Sequence, residues 1–503
     1  MEAYTSYNLW VILFASGGSV FAGFGLAVIA NTIGQPSFYK TMNLVEDSTA
    51  PGYSHTSTIL GAANGIFFAG GFFGTLLSAW AGDRVGRVNG FRIASLTGII
   101  GGALQSGAIN VPMFLVARLV TGIASGHTMA AMPIYYAEVS APHSRGMLTG
   151  SHSGFIALGY SLAGWIGYGC YYAEGTSFAW RFPNAVLCLV ALILLAGSFF
   201  IPESPRWLVQ HDRNDEALAI LCKLHHDPTD AEDQFAKREL LLIQNQLDLD
   251  RQTIENGGRW QLFTMKTYRK RIILALAILA GGQDIGGLVI NNYSVLLYET
   301  LGLSNAMALL LGAVYVTVGM CCNFGGAFIS DKIGRRVALL GGLILTVSMF
   351  TVATALIGTY NTHPSKAVSA ASIVFVYIYI VCYAIYDGSQ FTAATEIFPS
   401  HLRSQATSIA TSIIFLLDTL WLEIEPTALD TIGWKYYAVF IGTGIAHIFL
   451  LYFILPDTSG MALEEIDAVF GKEAAGHLNN DTAFETAYAV TGETKDDNAK
   501  MSE

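Results

Sequence analysis

Three carboxylates, Asp284, Asp387 and Asp418, stand in stretches that are otherwise almost wholly apolar. A carboxylate at mid-bilayer costs at least about 2.5 kcal/mol unless it is paired, hydrated or protonated. Each therefore reads as a carrier of an exchangeable proton, or as a contact for a basic or hydroxylated solute. Polar side chains recur around them at spacings of three and four: Gln283, Gly287, Asn291 and Ser294; then Tyr379, Tyr383, Tyr386 and Gln390, with Phe391 beside them; then Ser404, Ser408, Thr411 and Asp418. Such spacing places each set on one side of a helix. Hydroxyls and amides that both donate and accept, next to flat rings, suit a polyhydroxylated ligand with apolar C–H faces.

Elements that position such residues must cross a membrane. The 503 residues are 52% hydrophobic and only 13% charged, with 52 glycines, a composition foreign to a soluble multidomain enzyme. Apolar runs of roughly 20 residues, the length that spans a bilayer core, recur twelve times. The first begins near Trp10 with no Lys or Arg before Lys40, so it lacks the basic lead-in of a cleavable secretory signal and is expected to remain as helix one. The fold expected is all-α and polytopic, with residues 1–202 as one six-helix bundle and 271–456 as a second. Between them, residues 203–270 carry apolar residues at helical spacing among charges, the pattern of a small helical linker. Residues 457–503 form a C-terminal segment, polar and acidic in its last part, for which disorder is the default. Alternate loops hold nineteen Lys and Arg against four in the others. The positive-inside rule then puts both termini and the linker in the cytoplasm. The six cysteines read as packing residues, without metal-ligand spacing.

The charged phrase "GDRVGR" (Gly82 to Arg87) returns as "SDKIGRR" (Ser330 to Arg336), roughly 250 residues on, a period suited to a duplicated half-protein rather than a solenoid. "AEVSAPHSRG" returns as "TEIFPSHLRS". Parallel repeats of this kind are an architecture for alternating access. Each phrase falls at a cytoplasmic helix end. There Asp83 with Arg87, Glu138 with Arg145, Asp331 with Arg335 and Arg336, and Glu396 with Arg403 are expected to form a ring of ion pairs closing the inner side.

"GDRVGR", "PESPRWL", "SDKIGRR", "TEIFPSHLR", "IGWKYYAVF" and "PDTSGMALEEID" resemble, in order, the signatures of the sugar porter family of the major facilitator superfamily. "IGWKYY" is especially similar to fungal sugar permeases. The resemblance runs from helix one to the end of helix twelve. It implies two pseudo-symmetric six-helix bundles around a central solute site, with hexoses, pentoses, disaccharides or polyols as usual substrates. It also locates departures. Gly25 stands where proton-coupled members carry an acid, leaving Arg118, which matches the helix-four partner of that acid, without it. Ser153, beside His152, aligns with a sugar-contacting Gln. The helix-seven pattern keeps Gln283, Gly286 and Tyr293 but loses one Gln, the Asn and one aromatic, the last replaced by Asn292. Phe391 replaces a Trp, and Asp418 an Asn. The polar helix faces, the deep acids and the resemblance together give Gln283, Asn291, Asn292, Phe391, Asp418, Ser153 and Tyr383 as solute contacts, and Asp284, Asp387, Asp418 and Arg118 as coupling candidates.

No Gly-x-x-x-x-Gly-Lys-Ser/Thr phosphate loop, nucleophile elbow or metal-binding His pair appears, so the chain reads as a non-enzyme without cofactor or metal. A secondary transporter of a sugar-like solute is expected, by uniport or proton symport. The alternatives are a permease or exporter of a non-sugar organic solute, or a sugar sensor. The expected partners are the solute, the lipid bilayer and, for symport, protons, with no nucleic acid. The chain is expected to act as a monomer in the plasma membrane, where no organelle address directs it elsewhere.

Overall fold

A computed structural model describes residues 6–47, 50–140, 145–173, 176–224, 233–257, 261–398 and 400–456, without the side chains of 145–149 and 327–331 among a few others. The C-terminal segment from 457 lies outside the described residues. The first half comprises α1 (Ser6–Ile33), a short α2 (Pro36–Met42), α3 (Tyr53–Arg84), α4 (Arg87–Ser106), α5 (Val111–Val139), α6 (Arg145–Tyr171) and α7 (Phe178–Gly197). Four helices follow between the halves: α8 (Pro205–Gln210), α9 (Asn214–Leu224), α10 (Gln234–Gly257) and α11 (Gln261–Thr264). The second half comprises α12 (Lys266–Gln283), α13 (Gly287–Thr300), α14 (Asn305–Ile333), α15 (Arg335–Thr362), α16 (Lys366–Glu396), α17 (Ser400–Ile432) and α18 (Tyr436–Ile454).

Among the described residues nine stretches are long and apolar enough to cross a membrane. One of them, Lys266–Thr300, holds α12 and α13 as two pieces of a single broken span, and another, Leu402–Ile454, holds both α17 and α18. The Gly- and Ser-rich α4 and α6 complete twelve membrane helices in two bundles. Local chemistry starts them cleanly: the Asn110 side chain accepts from Met113 N–H at 3.0 Å and Ser365 from Val368 N–H at 3.2 Å, each satisfying an orphan donor of a helix first turn.

Without a hydrophobic drive between helices in lipid, close backbone approach supplies the packing. A Cβ on Gly122 of α5 would lie 2.0 Å from the Phe67 carbonyl oxygen of α3, so only glycine permits that contact. Three contacts among the described residues illustrate how the bundles join. At the first, Glu423 of α17 packs its backbone over Gly61 of α3. At the second, Ser161 and Trp165 of α6 both bond Thr317 of α14, at 2.8 and 2.9 Å. At the third, Asn64 of α3 donates to Tyr293 OH of α13 at 2.7 Å.

The helices between the halves dock on the first bundle. Trp207, Leu208, Val209, Ala217 and Leu247 form their small core, and Trp207 Nε1 donates to the Asp83 carbonyl at 3.1 Å. The Glu203 carboxylate accepts from the backbone N–H of Arg87 and Val88, capping α4. Burial pulls its pKa upward while these donors pull it down.

The charged side chains at these helix ends pair differently from expectation. Arg87 bonds Asp83 at 3.0 Å, as its i,i+4 spacing suggests, but it is also the partner of Glu138, at 3.0 Å. Glu396 pairs with Arg335 at 3.3 Å rather than with Arg403, which donates to the Phe398 carbonyl. Arg336 reaches the Tyr452 carbonyl. The side chains of Arg145 and Asp331 lie outside the described residues. The pairs described are pseudo-symmetric and stay within a bundle, because the Arg opening one helix reaches the Glu closing the next. Between bundles on this side, Ser404 of α17 donates to Asp83 at 3.3 Å.

Candidate functional site

The sequence breaks the seventh span at Asp284–Gly286. Gly286 has φ +79°, a left-handed conformation that glycine adopts freely. The freed carbonyls are satisfied from neighbouring helices: Thr443 Oγ1 of α18 donates to Asp284 O at 2.6 Å and Tyr379 OH of α16 to Ile285 O at 2.9 Å. Irregular backbone is tolerated at membrane depth under that condition. The break turns Gln283, at the end of α12, and Asn291, one turn into α13, onto the same cavity.

That cavity holds about 680 Å³ of unfilled space, counting what is open to solvent, and lies between the bundles. From the first half come Leu26, Met129, Ile156 and Ala157, with Ser153 and Tyr160 as polar members. The second half contributes Gln283, Asn291, Asn323, Tyr383, Asp387, Gln390 and Phe391 among apolar neighbours. Five buried atoms on this wall have no hydrogen-bond partner: Tyr160 OH, Gln283 Oε1, Asn291 Oδ1, Asn323 Oδ1 and Gln390 Oε1. Four of them are amide carbonyls, acceptors only. Asp387 accepts from Gln390 Nε2 and faces no cationic side chain among the lining residues. The wall is therefore rich in acceptors, carries one acid, and calls for a ligand that donates.

Of the residues the sequence singled out, Gln283, Asn291, Phe391, Ser153, Tyr383 and Asp387 line the cavity. The remaining candidates lie elsewhere. Asn292 is buried with neither amide atom bonded, turned from the cavity by its place one residue after Asn291 on α13. Asp418 is buried behind the wall with Oδ2 unbonded. Asp284 caps the break and pairs with His447. Arg118 finds carbonyls instead of an acid, donating to Ala63 O at 3.1 Å and Gly25 O at 3.4 Å, with its guanidinium 4.0 Å from the Phe67 ring centroid. The predicted stripe on α16 divides. Tyr379 and Tyr386 spend their hydroxyls on the carbonyls of Ile285 and Ile278, while Tyr383 and Gln390 face the cavity. On α17 the cavity receives Ile414 and none of the predicted polar set. His152 lies against the edge of the site, its ring at right angles to Phe391 and Nδ1 2.8 Å from Ser19 Oγ.

Sequence reasoning missed Tyr160 and Asn323 in the wall, and the wholly buried Glu425, whose two oxygens are unbonded. Asn323 is a lone polar residue in an apolar span, the signal that found Asp387, whereas Tyr160 stands beside Ser161 and Glu425 two residues after Glu423.

The comparisons with known proteins agree with this architecture. A family model described as "Sugar (and other) transporter" matches residues 10–470. The MFS-type transporter criB of Aspergillus cristatus is 30% identical over 444 residues, 88% of this chain and 91% of that protein. The high-affinity glucose transporter of Kluyveromyces lactis is 29% identical over 489 residues, 92% of this chain and 85% of that one. Among solved structures, the proton:xylose symporter XylE bound to 6-bromo-6-deoxy-D-glucose matches with a TM-score of 0.77 at 24% identity, covering 93% of this chain and 100% of that one. At that identity the likeness establishes the fold. With the family model covering nearly the whole chain and the same fold recurring in XylE, the chain belongs to the sugar (and other) transporter family, secondary transporters of the major facilitator fold.

Proposed function

We propose that this chain moves a neutral polyhydroxylated solute, a hexose, pentose or polyol, across the membrane by alternating access, with the acceptor-rich cavity as its solute site. The observation that carries this reading is the set of five unpartnered polar atoms lining the cavity, four of them from the second half. A buried acceptor left unbonded costs about 1–3 kcal/mol, and sugar hydroxyls can donate to several at once. Phe391 and the apolar residues of the first half offer a face for the C–H side of a pyranose. An anionic sugar acid fits poorly, since its carboxylate would meet carbonyl oxygens and Asp387. The relatives named as glucose transporters support the same solute class. In this reading the linker and both termini face the cytoplasm of a plasma-membrane carrier that works as a monomer.

The test is uptake of labelled hexoses, pentoses, polyols and sugar acids by yeast cells lacking their own sugar carriers. Saturable uptake of a neutral sugar or polyol, with none of the sugar acids, is the expected result. Uptake confined to acids, or to a solute without hydroxyls, would overturn the assignment.

A further inference from the structure

The pair that pins the break in the seventh span carries a consequence of proton counting. His447 Nε2 lies 2.8 Å from the Ala277 carbonyl oxygen, which can only accept, so that nitrogen bears hydrogen. The other ring nitrogen, Nδ1, lies 3.1 Å from Asp284 Oδ2. With Nε2 already protonated, Nδ1 of a neutral ring is a lone pair, and a lone pair does not approach a carboxylate oxygen at that distance without a proton between them. The arrangement therefore contains one shared proton, whether it is written as imidazolium and carboxylate or as imidazole and carboxylic acid. Take the proton away and the contact becomes repulsive.

Asp284 is also the terminal cap of α12. Its Oδ1 accepts from Trp421 Nε1 at 3.2 Å, and its carbonyl oxygen from Thr443. Two residues later Gly286 turns the chain, and α13 leaves carrying Asn291 to the cavity and Tyr293 to Asn64 of the other bundle. The Asp284 side chain is 16% exposed and that of His447 10%. Among the described residues the first bundle shows no such carboxylate–histidine pair. Gly25 carries no carboxylate, and the hydrogen-bond partners of Arg118 are carbonyls.

We infer that Asp284 and His447 form a proton-binding site whose occupancy sets the posture of the break and so couples one proton to each solute carried. The proton enters between Nδ1 and Oδ2, holds α12, α17 and α18 together at the break, and on leaving releases α13. Other titratable groups on the helices packed here include Tyr379 and Tyr386, bonded to Ile285 O and Ile278 O, and Asp387, bonded to Gln390, on α16, with Asp418, Glu423, Glu425 and Asp430 on α17 and Tyr436 and Tyr437 on α18. The described charges of α15, Arg335 and Arg336, open that helix at its linker end.

The inference rests on the transport reading above, and two measurements separate their failures. The full chain in proteoliposomes is assayed with labelled D-glucose and D-xylose, first for counterflow, which needs no proton gradient, then for accumulation against an inside-alkaline gradient of one pH unit. One proton per solute allows accumulation of about tenfold at that gradient. Asp284→Asn and His447→Gln should keep counterflow and lose accumulation. Undiminished accumulation in Asp284→Asn overturns the inference, as does wild-type exchange without accumulation, or loss of accumulation in Asp387→Asn while Asp284→Asn retains it.

The second measurement needs no solute. With no proton between Nδ1 and Oδ2 the contact turns repulsive, so the wild type should lose stability in base. Thermal melting in detergent over about pH 5 to pH 9 should show this fall in the wild type and a flatter profile in Asp284→Asn. Identical profiles overturn the proton site even if neither sugar is carried. A difference between the profiles without exchange of either sugar upholds the site and rules out D-glucose and D-xylose as its solutes.

Discussion

Polar atoms on the cavity wall differ in what they have left to give. Gln390 spends its Nε2 on Asp387 and keeps Oε1 free, while Asn323 spends its Nδ2 on the Gly319 carbonyl and keeps Oδ1. Each amide thus keeps a free acceptor pinned by its own donor, a preorganised arrangement that loses little entropy on binding. Gln283→Ala and Asn323→Ala should each raise the KM for solute roughly five- to tenfold, the loss of about 1 kcal/mol of hydrogen bonding, with folding unimpaired. Ser408→Ala, on the α17 face that the cavity does not meet, should leave KM unchanged. Initial-rate uptake by the three variants measures both statements. Arg118 is different in kind: its guanidinium is held by backbone carbonyls and Phe67 in the wall of its own bundle.

A broken helix works only if the break keeps its shape. Here a glycine with φ +79°, a carboxylate cap and two hydroxyls from neighbouring helices do so together. A Cβ at Gly286 would sit 3.2 Å from the Phe440 ring and in a conformation that costs an L residue about 1–2 kcal/mol. Gly286→Ala should therefore lower the melting temperature and reduce maximal transport more than affinity, because strain falls on the element that moves. Comparing kcat with KM for that variant decides it. Tyr379→Phe, which removes the donor to Ile285 O, should act in the same direction.

For the molecule as a whole, the distinction that matters is between contacts within a bundle and contacts across the seam. Arg87 joins α4 to Asp83 and Glu138 of its own bundle, and Arg335 does the same with Glu396 in the other. Removing Arg87 strands a buried carboxylate. Arg87→Ala should cost several kcal/mol, about 3–5 by analogy with broken buried pairs, and should appear as lost stability. Ser404→Ala cuts a contact that crosses the seam to Asp83, so it should leave stability nearly unchanged and shift the balance between inward- and outward-facing forms. Labelling of a cysteine placed at Ser153 by an impermeant thiol reagent from either side reads that shift. Equal labelling in Ser404→Ala and its parent would remove Ser404 from the gate.

Whatever depends on composition and local chemistry is legible along the chain. Twelve apolar runs have one physical solution in lipid, since a backbone in hydrocarbon must satisfy its own hydrogen bonds. The repeated charged phrases disclosed two halves, and a lone amide or carboxylate in an apolar run marked Gln283, Asn291 and Asp387 as interior. Periodicity, however, reports a face and not what that face meets. It grouped Tyr379 and Tyr386 with Tyr383, although only Tyr383 looks into the cavity. It set Asp418 beside the solute although α17 presents Ile414 there, and it joined Glu396 to Arg403, near in sequence, when Arg335 is its partner in space. Nothing in the spacing of Asp284 and His447, more than 160 residues apart, foretold that they share a proton. Those partnerships follow from the rotation and tilt of each helix, which packing against neighbours sets and no single segment encodes.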